Sequence, residues 1–159
     1  LRQHHDKKGQ ITIDFLATLT VVITLFFAIT LPLMHDSLRN ASMMQSKELI
    51  NANSQKIQTI TKTLLQEGAG AQQEVSLRTA PDCYYYLTST TLEGGYQVTQ
   101  VNALCTGDSA GIQEVIGYPA YGIDYQCPAC ENIEIPGTGE AHPGVKGGEK
   151  VGLIIRRIY

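Results

Sequence analysis

Residues 7–31, KKGQITIDFLATLTVVITLFFAITL, decide how the chain is read: two lysines and a glycine stand directly against a long apolar run, and one acid, Asp14, lies just inside it. Residues 15–34 carry no ionisable side chain, and about 20 such residues suffice for a helix to cross the hydrocarbon core of a bilayer. Lys7 and Lys8 flank the N-terminal side, so the positive-inside bias places residues 1–9 in the cytoplasm and the longer remainder outside. A secretory signal cut after its apolar core needs a small-residue site there. The following TLPLMHDSL offers none, and the small residue, Gly9, comes before the core. That order predicts an apolar segment retained on the mature protein.

Charge divides the 159 residues in the same way. Residues 1–9 carry Arg2, Lys7 and Lys8 against Asp6, a net +2; residues 10–73 balance four basic side chains against four acids; from Glu74 onward five basic residues face ten acids, a net -5. Three segments of different charge predict three environments. None has the clustered Lys and Arg of a nucleic-acid surface, so no nucleic-acid partner is expected.

KKG followed by QITIDF resembles the class III signal peptide of type IV pilin-like proteins, the archaeal pilins especially. The resemblance implies that a prepilin peptidase cuts between Gly9 and Gln10, which makes Asp14 the fifth residue of the mature chain, with Asp where Glu is commoner. It implies a long N-terminal helix, a smaller β-rich head, and identical subunits packed through their helices into a helical homopolymer. Asp14 and its neighbour Phe15 would then be assembly contacts. An unpaired carboxylate in hydrocarbon costs a few kcal/mol or more, and the α-amine created on a neighbouring subunit by the cut would satisfy it.

A helical pattern continues past the membrane-length segment. Met43, Ile50, Ile57 and Leu64 recur every seven residues, joined by Leu49 and Ile60, and form one apolar stripe. Between them lie Ser42, Gln45, Ser46, Asn51, Asn53, Ser54, Gln55, Gln58 and Thr59, uncharged groups suited to close helix packing or a glycan-coated face. Over residues 11–66 such a helix runs about 84 Å at 1.5 Å per residue. Pro32 lacks an N–H and clashes with the carbonyl of Ala28, which predicts either a kink or a boundary between a membrane helix and a separate extracellular helix; the resemblance to pilin-like subunits implies a kink within one continuous element. EGAGA then supplies a stop, with Gly68 or Gly70 as C-cap.

The C-terminal part changes period. CYYYLTSTTL and YQVTQVNALC flank EGG, a hairpin signal. A three-residue loop at Glu93, Gly94 and Gly95 makes paired residue numbers sum to 188 and sets Cys83 opposite Cys105, within the span a disulfide accepts. VSLRT, IEIP and VGLIIRRIY are further strands, and residues 137–150 read as a surface loop. Cys127 and Cys130 form C-P-A-C. A thioredoxin-like motif opens a helix, whereas ENIEIPG follows here, and a zinc site would need a second such pair. Structural pairing of Cys83 with Cys105 and Cys127 with Cys130 is therefore expected, with redox or metal chemistry as alternatives.

Gly139 and Gly144 have phosphate-loop spacing, but Val145 replaces the lysine. His35 and His142 stand alone, and the eight tyrosines suit strand packing. Asn40-Ala41-Ser42 is a glycosylation sequon. The expectation is an α+β chain with a leader over 1–9, a helix over 10–70 and a β-rich head over 71–159. No catalytic residue, metal or cofactor is assigned. The expected role is a filament subunit for surface adhesion, located at the cell surface, with prepilin peptidase, the pilus assembly machinery and, before assembly, the membrane as partners. The alternatives are a membrane-tethered redox or metal-binding protein, or a minor pilin-like component of a secretion or uptake machine.

Overall fold

A computed structural model of the chain describes residues 3–91 and 95–158, with side chains from Ile13 onward. The architecture is α+β: a long N-terminal helix, α1 (Gln3–Gln66), precedes a small antiparallel β domain. Two compact units result, Leu1–Asn40 and Ala41–Tyr159.

The first unit is helix throughout its described length, beginning ahead of the expected residue 11 and taking in the segment read as a leader. Its apolar window has a mean hydropathy of 2.3 and is long enough to cross a membrane. The threonines inside it do not leave hydroxyls unsatisfied. Thr18, Thr20, Thr24 and Thr30 donate to the carbonyls of Asp14, Leu16, Thr20 and Phe26 at 2.6–2.8 Å, the bond a helix offers where no water is at hand. Pro32 lies within α1 without ending it. One missing N–H removes one rung of the ladder, and the flanking rungs hold.

In the second unit α1 continues to Gln66. The chain then turns at Gly68–Ala71, closed by the Ala71 N–H on the Gly68 carbonyl at 3.2 Å. Gly70, with φ +88°, is the third residue of this turn, where a positive φ favours glycine. Gly70 thus serves the turn into the head and not a C-cap, which lies closer to Gln66.

Eight strands follow: β1 (Gln72–Arg78), β2 (Cys83–Thr91), β3 (Gln97–Cys105), β4 (Gln113–Gly117), β5 (Ile123–Gln126), β6 (Glu131–Glu134), β7 (Ala141–Lys146) and β8 (Lys150–Arg157). They form a three-stranded sheet, β1-β8-β5, and a five-stranded sheet, β4-β3-β2-β7-β6, with every pairing antiparallel. The β2–β3 register runs from Cys83 opposite Cys105 to Thr91 opposite Gln97, as the hairpin reading requires. The expected pair at Leu92 and the loop residues Glu93 and Gly94 fall outside the described residues.

Residues 137–150 are not simply a loop. They contain β7, which pairs with β6 through residues 141–144 and with β2 through residues 144–146. Proline and glycine hid it. Pro143 falls where β7 has a partner on one side only, so its missing N–H interrupts no second ladder. Gly144 falls where both partners meet, and a Cβ there would lie 2.5 Å from the Tyr85 carbonyl oxygen and 2.8 Å from Ile133. β4 and β5, also absent from the sequence reading, are only 5 and 4 residues long.

One core joins the two sheets to α1. It includes Ile50, Ile57 and Leu64 from the helix, Leu77, Leu153 and Ile155 from the smaller sheet, and Tyr85, Val101 and Ala103 from the larger.

Candidate functional site

Two sections of α1 carry the candidate function, and they differ in what covers them. Over residues 13–38 every large apolar side chain is exposed, Phe15 at 64%, Phe26 at 62% and Leu33 at 61% among them. The exposure runs round the helix, so this is no single stripe against a core. A helix that is hydrophobic all round needs a bilayer or other helices. Asp14 is exposed in the same stretch, and among the described residues its carboxylate has no hydrogen-bonding or ionic partner. Gly9 and Gln10 belong to the α1 backbone, while their side chains fall outside the described set.

Over residues 41–66 the helix carries its own cover. Ile50, Ile57 and Leu64 are buried and Met43, Leu49 and Ile60 pack against the core. Ser46 and Asn53, two of the uncharged residues between the members of the apolar stripe, are themselves 4% and 1% exposed. They complete the series 43, 46, 50, 53, 57, 60, 64, in which steps of three and four alternate, the seam of a heptad. That spacing was visible in the sequence; residue type concealed it.

Each polar member of the seam has a partner on the head. Ser46 Oγ lies 3.0 Å from Ser109 Oγ in the 3-10 turn Gly107–Ser109. Asn53 Nδ2 donates to the Arg78 carbonyl at 2.8 Å and to the Tyr85 hydroxyl at 3.0 Å. Tyr125 donates to the Tyr118 carbonyl at 3.0 Å, leaving Thr61 Oγ1, 3.4 Å away, as the donor to Tyr125. Burial raises the pKa of the Tyr85 phenol above its ordinary value, while hydrogen bonds with Asn53 and the Ala80 backbone oppose the rise. Burial likewise raises Tyr125, opposed by Thr61. Both groups are held neutral where a charge would be costly.

The helix end is also bound by the head. Arg157 in β8 donates through Nη1 to the carbonyls of Leu64, Leu65 and Glu67, placing a cation at the negative end of the helix dipole. α1 has no basic residue in its own last turn. A side chain some ninety positions later supplies it, which no local signal could reveal.

The four cysteines form two disulfides, Cys83–Cys105 across β2 and β3 and Cys127–Cys130 in the turn after β5. The first is buried in the core, and the second is half-buried and packs against it. Among the described residues no three His, Cys, Asp or Glu side chains converge as a metal site. His142, on β7, pairs with Glu140 at 3.3 Å and stacks on Tyr86, while His35 is exposed on α1. Asn40 of the sequon is exposed on α1 at the end of the first unit. Packing accounts for Tyr85, Tyr86 and Tyr125, but Tyr96, Tyr118 and Tyr121 are exposed at 48%, 58% and 61%.

No protein-family model, curated protein or solved structure matches this chain.

Proposed function

We propose that this chain is the structural subunit of an extracellular, type IV pilus-like filament, inserted in the cytoplasmic membrane as a precursor and assembled by bundling of its N-terminal helices. The observation that carries this reading is the uncovered apolar helix over residues 13–38, with one acid, Asp14, set directly before the uncharged run of residues 15–34. A plain anchor gains nothing from an acid there, because burying a charge without a partner is costly. In a bundle, a cut after Gly9 frees the α-amine of Gln10, and Asp14 of a neighbouring subunit meets it. Phe15, beside it and exposed, packs between the helices.

Two roles separate along the chain. Residues 13–38 supply the adhesive core of the filament. The disulfide-bonded head supplies the outer surface, and the glycosylation sequon begins at Asn40, the last residue of the first unit.

Mass spectrometry of protein recovered from outside the cell tests the processing step. The expected N-terminus is Gln10 or its cyclised form. Assembled filaments that retain residues 1–9 would remove both the peptidase step and the amine partner of Asp14.

A further inference from the structure

A groove of about 600 Å³ runs between the outer face of α1 and the edge strand β4, with Asn51, Gln55 and Gln58 on one wall, Gln113 and Glu114 on the other and Tyr118 at its rim. Its volume falls within the range of small-molecule sites, roughly 300–1,000 Å³. Its chemistry differs from the usual apolar pocket. Four side-chain carboxamides line it, each offering one acceptor oxygen and two donor hydrogens. Gln58 Nε2 donates to Ser54 Oγ at 3.3 Å. Among the described residues the side-chain amides of Asn51, Gln55 and Gln113 have no partner.

Tyr118 is 58% exposed, yet its backbone is held firmly. Its carbonyl accepts the hydroxyl of the buried Tyr125 at 3.0 Å. The preceding Gly117 sits so close to Val101 that a Cβ would lie 2.8 Å from that side chain, and Pro119 follows. An aromatic ring is thus kept in water on a fixed stem beside a row of neutral amides.

We infer that this groove binds an uncharged saccharide, whose vicinal hydroxyls match the carboxamides and whose apolar C–H face packs on the Tyr118 ring. Hydroxyl pairs that both donate and accept suit amide groups better than either sign of charge does. The single ionisable group on the walls is a carboxylate, Glu114, which accepts from hydroxyls and repels acidic sugars. The inference rests on the second unit alone and does not depend on filament assembly.

The test is a titration of the isotope-labelled full chain in a detergent without a sugar headgroup, using maltotriose, mannotriose and triacetylchitotriose up to about 10 mM, a concentration that reveals weak sites. At least one sugar should shift the side-chain amide signals of Gln55, Gln58 and Gln113 and the ring signals of Tyr118. Tyr118→Ala should weaken that binding about tenfold, Tyr118→Phe should retain it, and Tyr121→Ala, at an exposed tyrosine outside the groove, should leave it unchanged. Absence of shifts with all three sugars, equal binding by Tyr118→Ala, or binding confined to a uronic-acid trisaccharide run in parallel would each overturn the inference.

Discussion

Residues 13–38 and residues 41–66 belong to the same helix and follow opposite rules. In the first section the residue types are apolar on every side, and none of its large apolar side chains is covered by the chain. The second is polar on most sides, and one narrow seam of alternating three and four is covered completely at Ile50, Asn53 and Ile57. Hydrophobicity alone therefore does not say where a helix is buried. What matters is whether the rest of the chain supplies a complementary surface. The head does so for the second section, using hydrogen bonds at Ser46, Asn53 and Thr61 as well as apolar contact.

The largest expected effect lies on the uncovered section and concerns assembly. Asp14→Ala should abolish or severely reduce filaments seen by electron microscopy while membrane-fraction levels stay normal, and Asp14→Glu should be tolerated. Normal filaments from Asp14→Ala at normal expression would show that the acid is no docking point.

The covered section should respond in stability instead. Ile57→Ala removes a fully buried side chain and should lower the unfolding free energy of the head by about 2–5 kcal/mol in denaturant titrations. An unchanged midpoint would mean that the helix does not need the head's cover. Replacing Cys83 and Cys105 by serine should cost about 2–5 kcal/mol as well. Alkylation without reduction should label none of the four cysteines, whereas reversible cycling of Cys127 and Cys130 near the potential of thioredoxins would favour a redox role.

A smaller effect comes from pH. The pKa values of Tyr85 and Tyr125 are raised by burial, so above about pH 10 the unfolded chain loses phenolic protons that the folded head retains. Their contribution is complete below the unfolded pKa and is lost as pH climbs through the folded one. Alkaline unfolding should therefore steepen above about pH 10, and Tyr85→Phe with Tyr125→Phe should flatten it. A profile identical in the double variant would assign the fall to other groups. The smallest effect belongs again to the first section. Leu25, 57% exposed, should change head stability by no more than about 0.5 kcal/mol on conversion to alanine. A larger loss would break the contrast between the two sections.

Local pattern was enough for much of this molecule. The apolar run of residues 15–34, the seven-residue recurrence of Met43, Ile50, Ile57 and Leu64, and the β2–β3 register with its facing cysteines are all set by neighbours within a few positions or across one short loop. Such features repeat at the period of a helix or strand, and the period can be read without knowing what lies opposite. Tertiary structure alone decided the rest. Asn53 and Ser46 are buried because Arg78, Tyr85 and Ser109 come to meet them, and β7 forms through Pro143 and Gly144 because two partner strands accommodate both residues there. The Arg157 side chain at the end of α1 is a third case. A polar group or a helix-breaking residue carries its cost or its use in the partner it finds, and that partner is distant in sequence.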